Sequence, residues 1–168
     1  GSEMCIRDRC MAKILLGFMG AGKSTVARGL AQDFVDMDEL LCQRLGMSIK
    51  DYFDQHGEAA FRSAEAQLLA ELIDTDLVVS TGGGVVVSPE NRKLLTQNAD
   101  NIYLKADFET LYQRIQQDAV QERPLFLNQS KSDLQQIFEK RQAWYEEVAT
   151  QIVDTRLKSP QEIIEEIQ

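Results

Sequence analysis

The sequence predicts an α/β domain of three layers, a mainly parallel five-stranded sheet with helices on both faces. Three observations carry this. Five short apolar runs alternate with segments of helical period, the pattern of parallel strands joined by crossover helices. One of them, Leu77-Val78-Val79-Ser80, is nearly uninterrupted in its apolar character, as in a strand covered on both faces. A glycine-rich turn separates the first apolar run from the first helical segment, and such sheets bind ligands outside the carboxyl ends of their strands. At 168 residues the chain fits one domain that buries about two thirds of its unfolded surface.

Residues 1–10 lack periodicity and hold two of the three cysteines, Cys5 and Cys10. They are read as a non-native leader or translation artefact, with the domain over 11–168. The leader's charges cancel, Glu3 and Asp8 against Arg7 and Arg9, so the domain keeps the net charge of −9. A charge of that sign disfavours nucleic acid and anionic membranes as partners. No apolar run approaches the roughly 20 residues of a membrane span, and nothing reads as a signal peptide, so a cytoplasmic protein is expected. Cys42 is then the one cysteine of the domain and His56 its one histidine, which leaves little for disulfide, zinc or triad chemistry. Cys42, in a helical pattern, is expected to be a small packed side chain.

Lys13-Ile14-Leu15-Leu16 is the first strand, and Val26 to Leu30 continue the helix that follows the turn. Phe34-Val35-Asp36 is a second short strand ending in Asp36, with Asp38 just beyond; helical spacing runs from Glu39 to Leu45 and Gly46 ends it. Ser48 and Asp51 form a capping-box pattern opening a short helix through Phe53, and Gly57 interrupts the helical pattern before a long helix from Glu58 to Leu72. Leu77 to Ser80 is the third strand, stopped by Thr81-Gly82-Gly83-Gly84. Pro89 opens a helix through Leu95. Asn101 to Leu104 is the fourth strand, followed by a helix from Asp107 to Gln116. The polar segment 117–132 reads as a mobile loop. A helix over Asp133 to Ala149, a fifth strand Gln151 to Asp154, and a terminal helix beginning at Ser159-Pro160 complete the chain.

The turn itself is Gly17-Phe18-Met19-Gly20-Ala21-Gly22-Lys23-Ser24-Thr25. Its glycines let the backbone fold tightly so that successive N–H groups, those of Gly20 to Thr25, point at phosphate oxygens, and the helix N-terminus adds partial positive charge. Lys23 is placed to reach the β- and γ-phosphates and Ser24 to ligate Mg²⁺. An ordinary glycine-rich turn is the alternative; strand, spacing, Lys and Ser together decide for a nucleoside triphosphate site.

Many such proteins end a neighbouring strand in an Asp near Mg²⁺. Here the third strand ends in Ser80, so Asp36 is the better metal-side carboxylate, with Ser24 and Ser80 completing the candidate metal set. Asp38 is left to accept or orient a hydroxyl of a second substrate. Both acids also read as solvated strand-end residues in an acid-rich chain. Arg62 and Glu65 are three apart on the long helix and are equally consistent with a surface ion pair or with a guanidinium held by Glu65 for a substrate carboxylate. Gly82-Gly83-Gly84 permits close approach of backbone to a ligand, though turns also collect glycine. Arg123, in Arg123-Pro124-Leu125-Phe126, is a candidate lid cation, Arg114 a candidate for stacking on adenine, and Arg141 a third cation for an anionic substrate. Trp144 reads as packing.

In their order these motifs resemble the shikimate kinase family: Gly17 to Ser24, Asp36-Met37-Asp38, the Ser48 to Glu65 pattern with Phe53, Phe61 and Arg62, Ser80 to Gly84, Arg123-Pro124-Leu125, and Arg141 ahead of Tyr145-Glu146. The match runs from Met11 to the C-terminus. The resemblance implies a P-loop kinase fold and transfer of the γ-phosphoryl of ATP, with Mg²⁺, to the 3-hydroxyl of shikimate, in the pathway to chorismate and the aromatic amino acids. By resemblance Lys23, Asp38 and Arg123 are catalytic, Asp38 meeting the reacting hydroxyl. Arg62 and Arg141 grip the shikimate carboxylate, Gly83 and Gly84 approach the ring, and Phe53 and Phe61 wall the pocket. Arg114 and Pro160 flank the adenine. The shikimate-binding region spans about 40–72 and the lid about 117–132, and a monomer is expected. Between Lys23 and Asp36 lie 12 residues (24–35), which predicts a first helix about one turn, roughly 5 Å, shorter than the family's. Alternative readings are a P-loop kinase for another hydroxylated metabolite and an ATP-binding relative without transfer activity. Asn128-Gln129-Ser130-Lys131 lacks the Asn-Lys-x-Asp of a GTPase.

Overall fold

A computed structural model describes residues 11–117 and 130–168. The leader 1–10, Arg123 and most of the expected lid lie outside the described residues. The ends of the lid segment are corrected: Gln117 is the last residue of a helix, and Lys131 and Ser132 open another, which starts two residues before the expected Asp133 because Ser130 Oγ accepts from the Asp133 N–H at 3.1 Å and caps it.

Strand β1 (Lys13–Leu16) leads through the glycine-rich turn into α1 (Lys23–Leu30). Gly22 sits at the N-cap with φ 88°, a left-handed conformation suited to glycine, and no side chain caps the helix. Strand β2 is only Val35–Asp36, and α2 (Met37–Leu45) begins two residues earlier than helical spacing suggested. The reason is local: Asp36 Oδ1 accepts from the Glu39 N–H at 3.2 Å as an N-cap, and Asp38 and Glu39 place negative charge in the first turn. Helix α3 (Ile49–Ile73) is two helices joined at Gly57, whose φ of 85° and ψ of 170° break the helical path. Ser48 Oγ caps the first through the Asp51 N–H at 3.1 Å, and that helix continues past Phe53 to the break.

Then follow β3 (Val78–Ser80), α4 (Pro89–Gln97), β4 (Asn101–Lys105), α5 (Phe108–Gln117), α6 (Lys131–Val148), β5 (Gln151–Asp154) and α7 (Pro160–Ile167), the last opened by a complete capping box of Ser159 and Glu162. The five strands form one parallel sheet in the order β2-β3-β1-β4-β5. β1 is central, and its Ile14, Leu15 and Leu16 are wholly buried with Val79, Ile102 and Leu104 of its neighbours. Helix α1 packs on α7, while α2, α3, α4, α6 and α5 contact one another in succession. Register pairs Asp36 with Ser80 and Ser80 with Leu15, so the carboxyl ends of β2, β3 and β1 lie side by side. Whatever follows those three strands shares one edge.

Candidate active site

A cavity of about 1060 Å³ opens at that edge. One end is the turn after β1. Gly20 has φ 83°, and Arg114 of α5, which also lines the cavity, donates to its carbonyl at 3.1 Å and braces the turn. Lys23 Nζ donates to the carbonyls of Gly17 and of Phe18, the latter at 3.3 Å, so its ammonium is folded back over the loop it extends from. Residues Gly20 to Thr25 all line the cavity.

Beside this loop, Ser24 Oγ donates to Asp36 Oδ2 at 3.0 Å and lies 3.2 Å from Ser80 Oγ. The metal set expected from sequence is thus assembled. Its oxygens suit a hard cation such as Mg²⁺. It contains one carboxylate, and among the described residues no group of three or more His, Cys, Asp or Glu side chains gathers as a metal cluster. A cation here needs phosphate and water oxygens to complete its shell.

The other end is built by α3, the triple glycine and α6. Glu65 is almost wholly buried, so the surface-ion-pair reading of Arg62 and Glu65 is overturned. Arg62 Nη1 donates to Glu65 Oε1 and to the Gly84 carbonyl, both at 3.0 Å, with the guanidinium facing the cavity. Burial pushes the Glu65 carboxyl above its usual range, and the charge of Arg62 opposes that shift. Arg141 is also buried, which draws its guanidinium below the ordinary arginine value.

The triple glycine acquires a reason. A Cβ on Gly84 would stand 2.7 Å from Arg62 Nη2, one on Gly82 2.5 Å from Asp38 Oδ1, and one on Gly83 3.4 Å from the Met19 nitrogen and 3.8 Å from Arg141 Nη1. The bare Cα positions of Gly82 and Gly84 therefore admit Asp38 and Arg62, while Gly83 lies in ordinary contact with Met19 and Arg141. Phe53 and Phe61 stack with ring centroids 4.8 Å apart and wall the same space.

Several contributors carried no signal of their own in the sequence. Gly82 was one member of a weak triplet. Tyr145, fully buried, donates its phenol to the Gly83 carbonyl, and its burial raises the phenol's pKa so that it stays a donor. Met19 packs on Gly83 and lines the cavity. Cys42 is half-buried and also lines the cavity, so it is not the simple packing residue expected. Pro160, expected beside the adenine, is exposed at the first turn of α7 and is not among the residues lining the cavity.

The family model for shikimate kinase matches residues 19–168, the stretch that contains all of these groups but the Gly17 and Phe18 carbonyls. The chain belongs to the shikimate kinase family. A shikimate kinase of Streptococcus gordonii is 52% identical over 156 residues, covering 92% of this chain and 97% of the relative, and one of Enterococcus faecalis is 48% identical over 158 residues, covering 92% and 94%. Among solved structures, the shikimate kinase of Acinetobacter baumannii in complex with shikimate superposes with a TM-score of 0.85 at 32% identity, covering 95% of this chain and 92% of that one. The chain is an ATP-dependent kinase of this family, and the α/β/α fold is the family's.

Proposed function

We propose that this enzyme transfers the γ-phosphoryl of ATP to the 3-hydroxyl of shikimate in the cavity between the glycine-rich turn and α3. The observation that carries the residue assignment is the placement of two guanidinium groups, Arg62 and Arg141, against adjacent glycines beside Asp38, across one cavity from a triphosphate-binding loop. Burial, and after it the charge of Arg62, draws the Arg141 guanidinium down, and a carboxylate lying between the two relieves that repulsion. Bidentate pairing gives the acceptor one orientation.

Asp38 then meets the hydroxyl that attacks, accepting its proton as the bond to phosphorus forms. The amide groups of residues 20–25 and the ammonium of Lys23, which exchanges its loop carbonyls for phosphate oxygens, stabilise charge on the transferring group. Ser24, Asp36 and Ser80 would hold Mg²⁺, which would supply positive charge beside the phosphate oxygens. Arg123 in the lid is assigned the same task from its motif, and Arg114 and Pro160 the adenine side. A monomer is taken as the working unit. No described helix is long and apolar enough to cross a membrane.

Coupled ADP release, with shikimate, gluconate and nucleoside monophosphates offered separately, tests the acceptor. Turnover with shikimate alone is expected; equal turnover with gluconate or a nucleotide overturns the assignment.

A further inference from the structure

Helix α4 contributes no residue to the cavity lining, yet Asn91 in its first turn touches the partner of Arg62, and Arg92 touches Trp144, three residues after Arg141. Asn91 is wholly buried, and its Nδ2 donates to Glu65 Oε1 at 3.2 Å. That oxygen is the one that accepts from Arg62 Nη1 at 3.0 Å. The order of contacts is therefore Asn91, Glu65, Arg62 and the Gly84 carbonyl. An asparagine in a wholly buried position carries a desolvation cost, and its Oδ1 has no hydrogen-bond partner among the described residues. An apolar side chain there would avoid that cost, so the packing of α4 alone does not explain Asn91.

The next residue points the other way. Arg92 Nη1 donates to the carbonyls of Val86 and Val87 at 2.7 and 3.0 Å, which ties down the segment leaving the triple glycine. Its guanidinium lies 4.5 Å from the centre of the Trp144 ring, with Glu147 at 3.9 Å. Trp144 stands one turn after Arg141 on α6. Arg92 thus links that helix to the segment leaving the triple glycine.

We propose that the first turn of α4 positions the carboxylate-binding arginines: Asn91 aims Arg62 through Glu65, and Arg92 sets Arg141 through Trp144 and the Val86–Val87 backbone. Neither residue touches substrate; both are positioning residues. The inference rests on the reading of Arg62 and Arg141 as the acceptor-carboxylate site.

The test compares shikimate with its carboxamide, which keeps the ring hydroxyls and lacks the charge. The quantity is the ratio of kcat/KM for acid over amide, measured in wild type, Asn91→Leu, Asn91→Thr and Arg92→Lys, with the KM for ATP alongside. Wild type is expected to favour the acid by at least a hundredfold. Asn91→Leu and Arg92→Lys are each expected to shrink that ratio about tenfold, mainly through the KM of the acid, with the KM for ATP within twofold. Asn91→Thr, which keeps a donor, is expected to recover part of the ratio, and it decides the Asn91 arm if the leucine variant is recovered unfolded. General loosening of the fold lowers both acceptors together; an unchanged ratio in the variants overturns the proposal. If wild type itself does not distinguish acid from amide, the carboxylate reading of Arg62 and Arg141 fails instead.

Discussion

Glu65 and Arg62 each make the other's burial tolerable, and their pairing has a pH signature. Burial raises the Glu65 carboxyl, so its folded pKa lies above the unfolded one. For a group shifted that way, stability is undiminished below the unfolded pKa and falls as pH rises through the folded one. Arg62→Met removes the largest opposing charge, leaving Arg141 to face Glu65 together with the like charge of Asp38. The carboxyl then moves further up and the loss extends to higher pH. Denaturant unfolding is expected to show the variant about 3 kcal/mol less stable than wild type at pH 8 and clearly less affected at pH 5. A deficit of the same size at both values would show that Glu65 is not the ionised partner. The i,i+3 spacing of this pair was legible in the sequence, but spacing is identical on a surface and in a site. What separates the two is that Glu65 faces inward against Asn91, a contact 26 positions away that no local pattern encodes.

At the scale of elements, the boundaries followed from local chemistry where caps or left-handed glycines were present, and moved where the cap was misread. Asp36, a candidate metal ligand at the end of β2, also caps α2, which brings Asp38 into a helix turn. α1 has 8 residues, and α7 covers it. α7 packs so closely that a Cβ on Gly29 would stand 2.2 Å from Ile164 Cδ1 and 3.2 Å from its Cγ1. Gly29→Ala gains about 1 kcal/mol of helix propensity. The overpacking costs about 1–3 kcal/mol, so the single variant is expected to be neutral to destabilised. Ile164→Val removes the Cδ1 atom. On that background Gly29→Ala is expected to stabilise, raising the melting temperature of the double variant above that of Ile164→Val alone. Additive effects in this cycle would mean that α7 does not rest on Gly29.

For the whole molecule, function depends on strand order. Alternating apolar runs and helical segments announced a parallel sheet, and the phosphate-binding loop announced a triphosphate. That β2, β3 and β1 would be neighbours, however, is settled by the packing of the complete sheet, and no single run contains it. Their adjacency brings the loop after β1, the Asp36 and Asp38 pair after β2 and the triple glycine after β3 to one place. Arg114 comes in from α5 to hold Gly20 and lines the cavity, while Pro160 sits exposed at the start of α7. Asp38 is the residue at which these three strand ends converge, within a Cβ's reach of Gly82 and in the same cavity as Lys23 and Arg62. The most direct measurement is phosphorylated shikimate formed from saturating ATP and shikimate by Asp38→Asn and by wild type. A fall in kcat of about 100-fold or more, with the KM for ATP within twofold, is the result expected of a lost hydroxyl-directing carboxylate. A kcat for Asp38→Asn close to that of wild type would contradict the account.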